Sequence, residues 1–167
     1  MTIFEALPDT SRVWVYQSSR PFSERETAVL NSQLAAFARQ WTAHNHALQA
    51  QAQVVRQQFV VLAVDESQAG ASGCSIDKSV HFLESLEQQF GVSLFDRLRL
   101  AYLDASGEVV FCSKTDFLTE YTGGGVSDVT FVFDNMVSSL GELRSAWLKP
   151  LRESWHWRFL GLHKNAI

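Results

Sequence analysis

The stretch FVVLAVDE, Phe59 to Glu66, decides the reading of this chain. Phe59 to Val64 is apolar without interruption. A run that short reads as a strand, and a strand with no polar alternation is buried on both faces, as in a parallel pair. Asp65 and Glu66 mark the point where the chain leaves the sheet. No apolar run in the chain is longer, and it falls far short of the ~20 residues that a bilayer-spanning helix needs.

Upstream, VWVYQ, Val13 to Gln17, reads as another short buried strand, and SSRPF ends it. Ser23 and Glu26 form a capping box, in which each side chain accepts the other residue's backbone N–H, so a helix starts there. Leu30, Leu34, Phe37 and Trp41 give that helix one apolar face. Asn45 is placed to close it in the left-handed position, with His44 at the helix end beside the final carbonyls. ALQAQAQVVRQQ, Ala47 to Gln58, is biased to glutamine and alanine and leads into the strand.

Downstream, the polar loop SQAGASGCS precedes a second helix, capped by Ser75 with Asp77 in its first turn. Ile76, Val80, Leu83, Leu86 and Phe90 form its core face. LRLAYLD, DASGE and VVFCSK read as a β-hairpin centred on Ser106-Gly107. TGGGV, Thr122 to Val126, marks a flexible turn, and TFVFD, Thr130 to Asp134, a further strand. Ser139 with Glu142 is a second capping box, and Pro150 starts a last helix through Leu151, Trp155, Phe159 and Leu162. The order β-α-β-α-β-β-β-α predicts an α/β (α+β) fold: a single mixed sheet of about 4–5 strands flanked by helices. Its first β-α-β is expected as a right-handed crossover between parallel strands. The skeleton is thioredoxin-like in topology, with SSRPF where those folds carry C-x-x-C, so the likeness brings no function with it.

At 167 residues, one globular domain over 1–167 is expected. Fourteen basic against eighteen acidic residues leave a net charge of −4. An acidic balance speaks against nucleic acid as a partner, and 46% hydrophobic residues exclude a disordered chain. Cys74 and Cys112 make no disulfide framework, and the N-terminal Glu5 and Asp9 leave no secretory signal, so a cytoplasmic protein is expected.

Through RVWVYQSSRPF, FVVLAVDESQAGASGCSIDKSVHFLESLE, VFDNMV and ESWHWRFL the chain resembles a family of small uncharacterised bacterial proteins of Bacteroidetes type, often labelled "ABC transporter ATPase". The resemblance covers nearly the whole chain, is most specific in SGCSIDKSVHFL, and implies no established activity. VVLAVDE fits a Walker B strand, and ASGCS resembles the LSGGQ-type signature. A nucleotidase also needs G-x-x-x-x-G-K-[ST] to cradle phosphates, and no Gly-Lys pair occurs anywhere in the chain. An ATPase is therefore not expected.

In open α/β sheets, ligands bind outside the carboxyl ends of parallel strands. Ser18, Ser19 and Arg20 end one strand, Asp65 and Glu66 another, and Ser72, Gly73, Cys74 and Ser75 open the helix nearby. Parallel strands would gather all three at one edge, which gives the ligand-binding set Arg20, Asp65, Glu66, Ser72, Cys74 and Ser75. Arg20 with free helix N–H groups would suit a carboxylate or phosphate. The bland alternative is that Arg20 pairs with Asp65 and the serines only cap. Cys74 is the candidate nucleophile, against which Asp65, Glu66 and Asp77 weigh as acidic neighbours. Asp65, Asp77, His81 and Glu84 are candidate metal ligands, on what reads as a solvated helix face. Trp157 and Arg158 are a candidate interface, since exposed Trp and Arg concentrate at binding hot spots.

The expectation is a non-catalytic domain that binds a small polar ligand or a partner at the edge around Arg20, Asp65 and the 72–75 loop, with no cofactor. The alternatives are a metal-assisted or thiol-dependent enzyme using that edge, or an interaction subunit working through the C-terminal Trp/Arg segment.

Overall fold

The computed structural model describes residues 3–164. The apolar run becomes strand β5 (Phe59–Asp65), the middle strand of a three-stranded sheet. It lies between β1 (Arg12–Gln17) and β4 (Gln49–Val55). Phe59 to Val64 are each at most 1% exposed, so the double-sided burial is there. The parallel neighbour is not. Both ladders are antiparallel, with Gln17 opposite Phe59, Arg12 opposite Val64, and Gln49 opposite Asp65.

The physical reason is the glutamine- and alanine-rich stretch. Ala50, Ala52 and Val54 alternate with Gln49, Gln51 and Gln53, a period of two that turns the small apolar residues towards the helix-covered core. This stretch is a strand in its own right, β4, and it is the return strand of the crossover. Since β1 and β4 are each antiparallel to β5, they run parallel to one another with β5 inserted between them, a split β-α-β. The single mixed sheet resolves into three sheets, and every described ladder is antiparallel. The parallel neighbours of a thioredoxin-like order are therefore not formed among the described residues.

Helix α1 (Glu24–Gln40) starts at the Ser23–Glu26 box and buries Leu30 and Leu34 completely. It stops at Trp41, four residues before Asn45. His44 and Asn45 form instead the two-residue turn of a small hairpin, β2 (Thr42–Ala43) with β3 (His46–Ala47), both at positive φ (49° and 64°) as such turns require. Helix α2 (Gly73–Phe90) has Ser72, not Ser75, as its cap. Ser75 stands at the third helical position, closing a reciprocal box with Ser72, and Gly91 ends the helix at φ 61°. Ser75, Ser79, Leu83 and Leu86 are its buried residues, while Ile76 and Val80 are half-buried. The two buried serines donate their hydroxyls back to the Ser72 and Ile76 carbonyls, which lets them face a core.

The described chain forms two compact units, each made of two stretches. The first holds the elements above together with Asn135–Arg144. That stretch runs along β1: Val13 N–H donates to Ser138 C=O (3.1 Å), Leu140 N–H to Ser11 C=O (2.8 Å), and the Ser139–Glu142 box opens α4 (Leu140–Ala146).

The second unit takes Asp96–Asp134 and the chain from Ser145 onward. Its sheet has the order β7-β6-β8-β9, from β6 (Leu100–Leu103), β7 (Val109–Cys112), β8 (Phe131–Phe133) and β9 (Leu148–Pro150). Asp104 shapes the Ser106-Gly107 turn by accepting the backbone N–H groups of Ser106 and Glu108. Helix α3 (Lys114–Gly123), capped by Ser113, fills the space before the glycines, and Gly124 at φ 82° terminates it. Leu100, Tyr102, Phe117, Val132, Leu151, Leu160 and Leu162 form this unit's core. The last helix is not continuous. Pro150 ends β9, Ser154 is extended (φ −98°, ψ 161°), and only α5 (His156–Phe159) is α-helical between 3₁₀ turns at Leu151–Glu153 and Leu162–Lys164.

Candidate functional site

The antiparallel register separates the residues expected to converge. Arg20 follows Gln17, opposite Phe59, while Asp65 lies at the far end of β5, about 20 Å away at 3.3 Å per residue. Arg20 therefore does not meet Asp65. Its guanidinium forks onto Glu26 (2.9 and 2.8 Å) and donates to the carbonyls of Phe90 (2.6 Å) and Pro21 (3.1 Å). It thereby ties the N-terminus of α1 to the C-terminus of α2. The Arg20 hydrogen bond, and then the Ser23 N–H, hold the Glu26 carboxyl down to about 2, and Glu26 in turn raises Arg20. Around it, Ser18 N–H donates to Gln58 C=O (2.7 Å), Ser19 N–H to Ser93 C=O (2.9 Å) and Phe22 N–H to Gln57 C=O (2.7 Å). This corner is held by its own hydrogen bonds, with the buried Gln58 Oε1 left without a partner.

At the other end, Asp65 accepts the Ser67 N–H (3.0 Å) and Glu66 the Ala71 N–H (2.9 Å), so both carboxylates fold into their own loop. A Cβ on Gly70 would come within 2.9 Å of the Glu66 carboxylate, so a larger residue there would displace that side chain from the Ala71 N–H. Ser72 and Ser75 cap each other, and Cys74 is exposed on the first turn of α2. The loop does have a facing element, which is the β2–β3 hairpin and not Arg20. Trp41, buried at the head of that hairpin, fixes it by donating its indole N–H to Ser75 C=O (2.7 Å). An open concavity of ≈ 470 Å³ results, lined by His44, His46 and Ala47 on one side and Gln68, Ala69 and Gly70 on the other. Both imidazoles are exposed, and Lys78 of α2 reaches the Thr42 hydroxyl at the hairpin's base (3.5 Å). Imidazole, amide and ammonium groups together offer donors to an anion.

His44, His46 and Gln68 were outside the expected site. The His-Asn dipeptide is a legible signal for a turn that needs left-handed residues, once it is not assigned to the end of α1.

The remaining candidates are dispersed. His81 pairs with Glu84 on the solvent face of α2 (3.2 Å). Among the described residues no three His, Cys, Asp or Glu side chains stand together as metal ligands. Burial and then Asp116 push the Cys112 thiol up to about 11, which keeps it protonated. In the C-terminal segment Trp157 packs against the core of the second unit, Arg158 is exposed, and the open indole is Trp155, 37% exposed. No described helix is long and apolar enough to cross a membrane. The chain matches no protein-family model, no curated protein and no solved structure.

Proposed function

We propose that this is a non-catalytic binding protein that takes a small anionic molecule, a carboxylate or phosphate, between the hairpin Thr42–Ala47 and the loop 66–71. The observation that carries this reading is the meeting of exposed His44 and His46 with Gln68 around one concavity, with Lys78 bonded to Thr42 in the same hairpin. The ring N–H groups of the two imidazoles and the side-chain amide of Gln68 can each donate a hydrogen bond to an anion's oxygens. The non-catalytic part draws on a second fact. The serine hydrogen-bonded to a histidine, Ser154 to His156, is buried, with its hydroxyl also within bonding distance of Leu151 C=O (2.9 Å). A second reading, in which the protein binds a protein partner through its C-terminal segment, draws on the exposed Trp155, with exposed Arg152 and Arg158 three residues before and after it in the chain.

A melting screen of small carboxylates, phosphates, nucleotides and divalent metals tests the proposal. A ligand at a hundredfold excess over its dissociation constant adds about 2.7 kcal/mol to stability. An anion should raise the melting temperature, and the His44→Ala/His46→Ala double variant should abolish that rise while keeping its fold. An undiminished rise in the double variant, or a screen in which no anion acts, rejects the site.

A further inference from the structure

We propose that the C-terminal segment 153–164 is a proton-operated latch: acid charges the buried His156, and the segment leaves its seat while the sheet of the second unit stays folded. His156 is 2% exposed. Its Nδ1 lies 3.1 Å from the Ser154 hydroxyl, whose single proton goes to Leu151 C=O (2.9 Å), so Nδ1–H is the donor to the Ser154 oxygen. The Trp155 indole stacks on it at 4.1 Å between ring centres. The charged groups that act on it are Asp134, at the end of β8, and Lys149, on β9. These two are paired with each other at 2.8 Å and little exposed, so the Asp134 carboxylate is already committed to an ammonium. Burial is the main cause that lowers His156 to about 4, Asp134 opposes it, and Lys149 adds to it.

The backbone makes local release feasible. Leu151 N–H donates to Thr130 C=O (2.8 Å) and Arg152 N–H to Asp128 C=O (3.0 Å), which anchors the start of the segment beside the sheet. Beyond that point the backbone donors Ser154, Trp157, Phe159, Leu160 and Gly161 all bond within 151–164. What seats the segment is side-chain packing: Leu160 and Leu162 are buried, Trp157 and Phe159 are buried in part, and the Lys114 ammonium of α3 lies 4.7 Å over the Phe159 ring. The released form takes a proton from about pH 6.5 downward, and the seated form only near 4. Acid therefore favours release, by up to tenfold per pH unit inside that window and by about 100-fold from pH 7 to pH 4.

Hydrogen exchange on the full chain between pH 7 and pH 4, corrected for intrinsic rates, tests the latch. The Leu160 amide, bonded to His156 C=O, should open about 100-fold more readily at the acid end, with the β6–β7 amides still protected. His156→Asn should remove that dependence. Equal loss of protection in the β6–β7 ladder overturns the proposal, because acid would then unfold the unit as a whole. An unchanged dependence in His156→Asn also overturns it. In the wild-type chain, an NMR titration of His156 with a midpoint near 4 supports the latch, and one near 6.5 sinks it.

Discussion

At the Phe59 end of β5, Arg20 closes onto Glu26 and two backbone carbonyls, and serines and turn carbonyls complete one another around it. At the Asp65 end, the carboxylates also turn back onto their own loop, but the hairpin opposite holds two imidazoles out to solvent. Both ends are polar strand ends beside a helix terminus. They differ in whether the facing element engages the strand-end groups, as α1 and α2 engage Arg20, or holds its own polar side chains out to solvent, as the hairpin holds His44 and His46. A strand-end charge is a binding element only where its partners have been left for something else to supply.

The contrast can be broken from the hairpin side with the largest effect. Trp41 is 2% exposed, packs against Trp14 and Phe37, and carries the bond to Ser75. Trp41→Ala should cost about 3–5 kcal/mol in urea unfolding, the range for large aromatic truncations in a core. It should also remove any anion-induced rise in melting temperature. Arg20→Ala comes next, lowering the melting temperature by a few degrees with anion binding unchanged. Arg20→Lys should recover only part of that loss, since lysine keeps the charge and loses the fork. A loss of anion binding in either Arg20 variant would erase the distinction between the two ends.

Acid sharpens the comparison. Glu26 titrates near 2 when folded and near 4.5 otherwise, so its pair with Arg20 stabilises fully above that ordinary value and is lost as pH falls towards 2. Glu26→Gln should flatten the stability profile across that window and nowhere else, as followed by denaturant midpoints at successive pH values. The smallest effect is expected at the turn. Asn45 sits at φ 64°, where glycine is preferred, so Asn45→Gly should stabilise by roughly 0.5 kcal/mol in the same assay and leave the Arg20 corner untouched.

Local chemistry was legible in the residues, and strand direction was not. The Ser23–Glu26 and Ser139–Glu142 boxes, the Ser106-Gly107 turn and the double-sided burial of Phe59 to Val64 each follow from a few neighbouring side chains. Whether β5 runs with β1 or against it depends on a reversal at Arg56 and Gln57, which take φ 53° and 57° with neither glycine nor asparagine to announce it. Without that turn, β4 and β5 merge into one strand, the crossover closes on the wrong neighbour, and Arg20 is carried to the end where Asp65 stands. Helix α3 was hidden for a related reason: its weak apolar face, with Phe117 alone buried, gave little period to read before the glycines that cap it.

The interleaving of the two units has a consequence for synthesis. The first unit is missing a piece until residues 135–144 exist, and Val13 N–H has no Ser138 C=O to meet before then. As the chain is made from its N-terminus, one edge of β1 waits through the whole of Asp96–Asp134, so the first unit closes late although it begins early. Neither unit corresponds to one uncut stretch of chain, and no single break yields both as whole fragments.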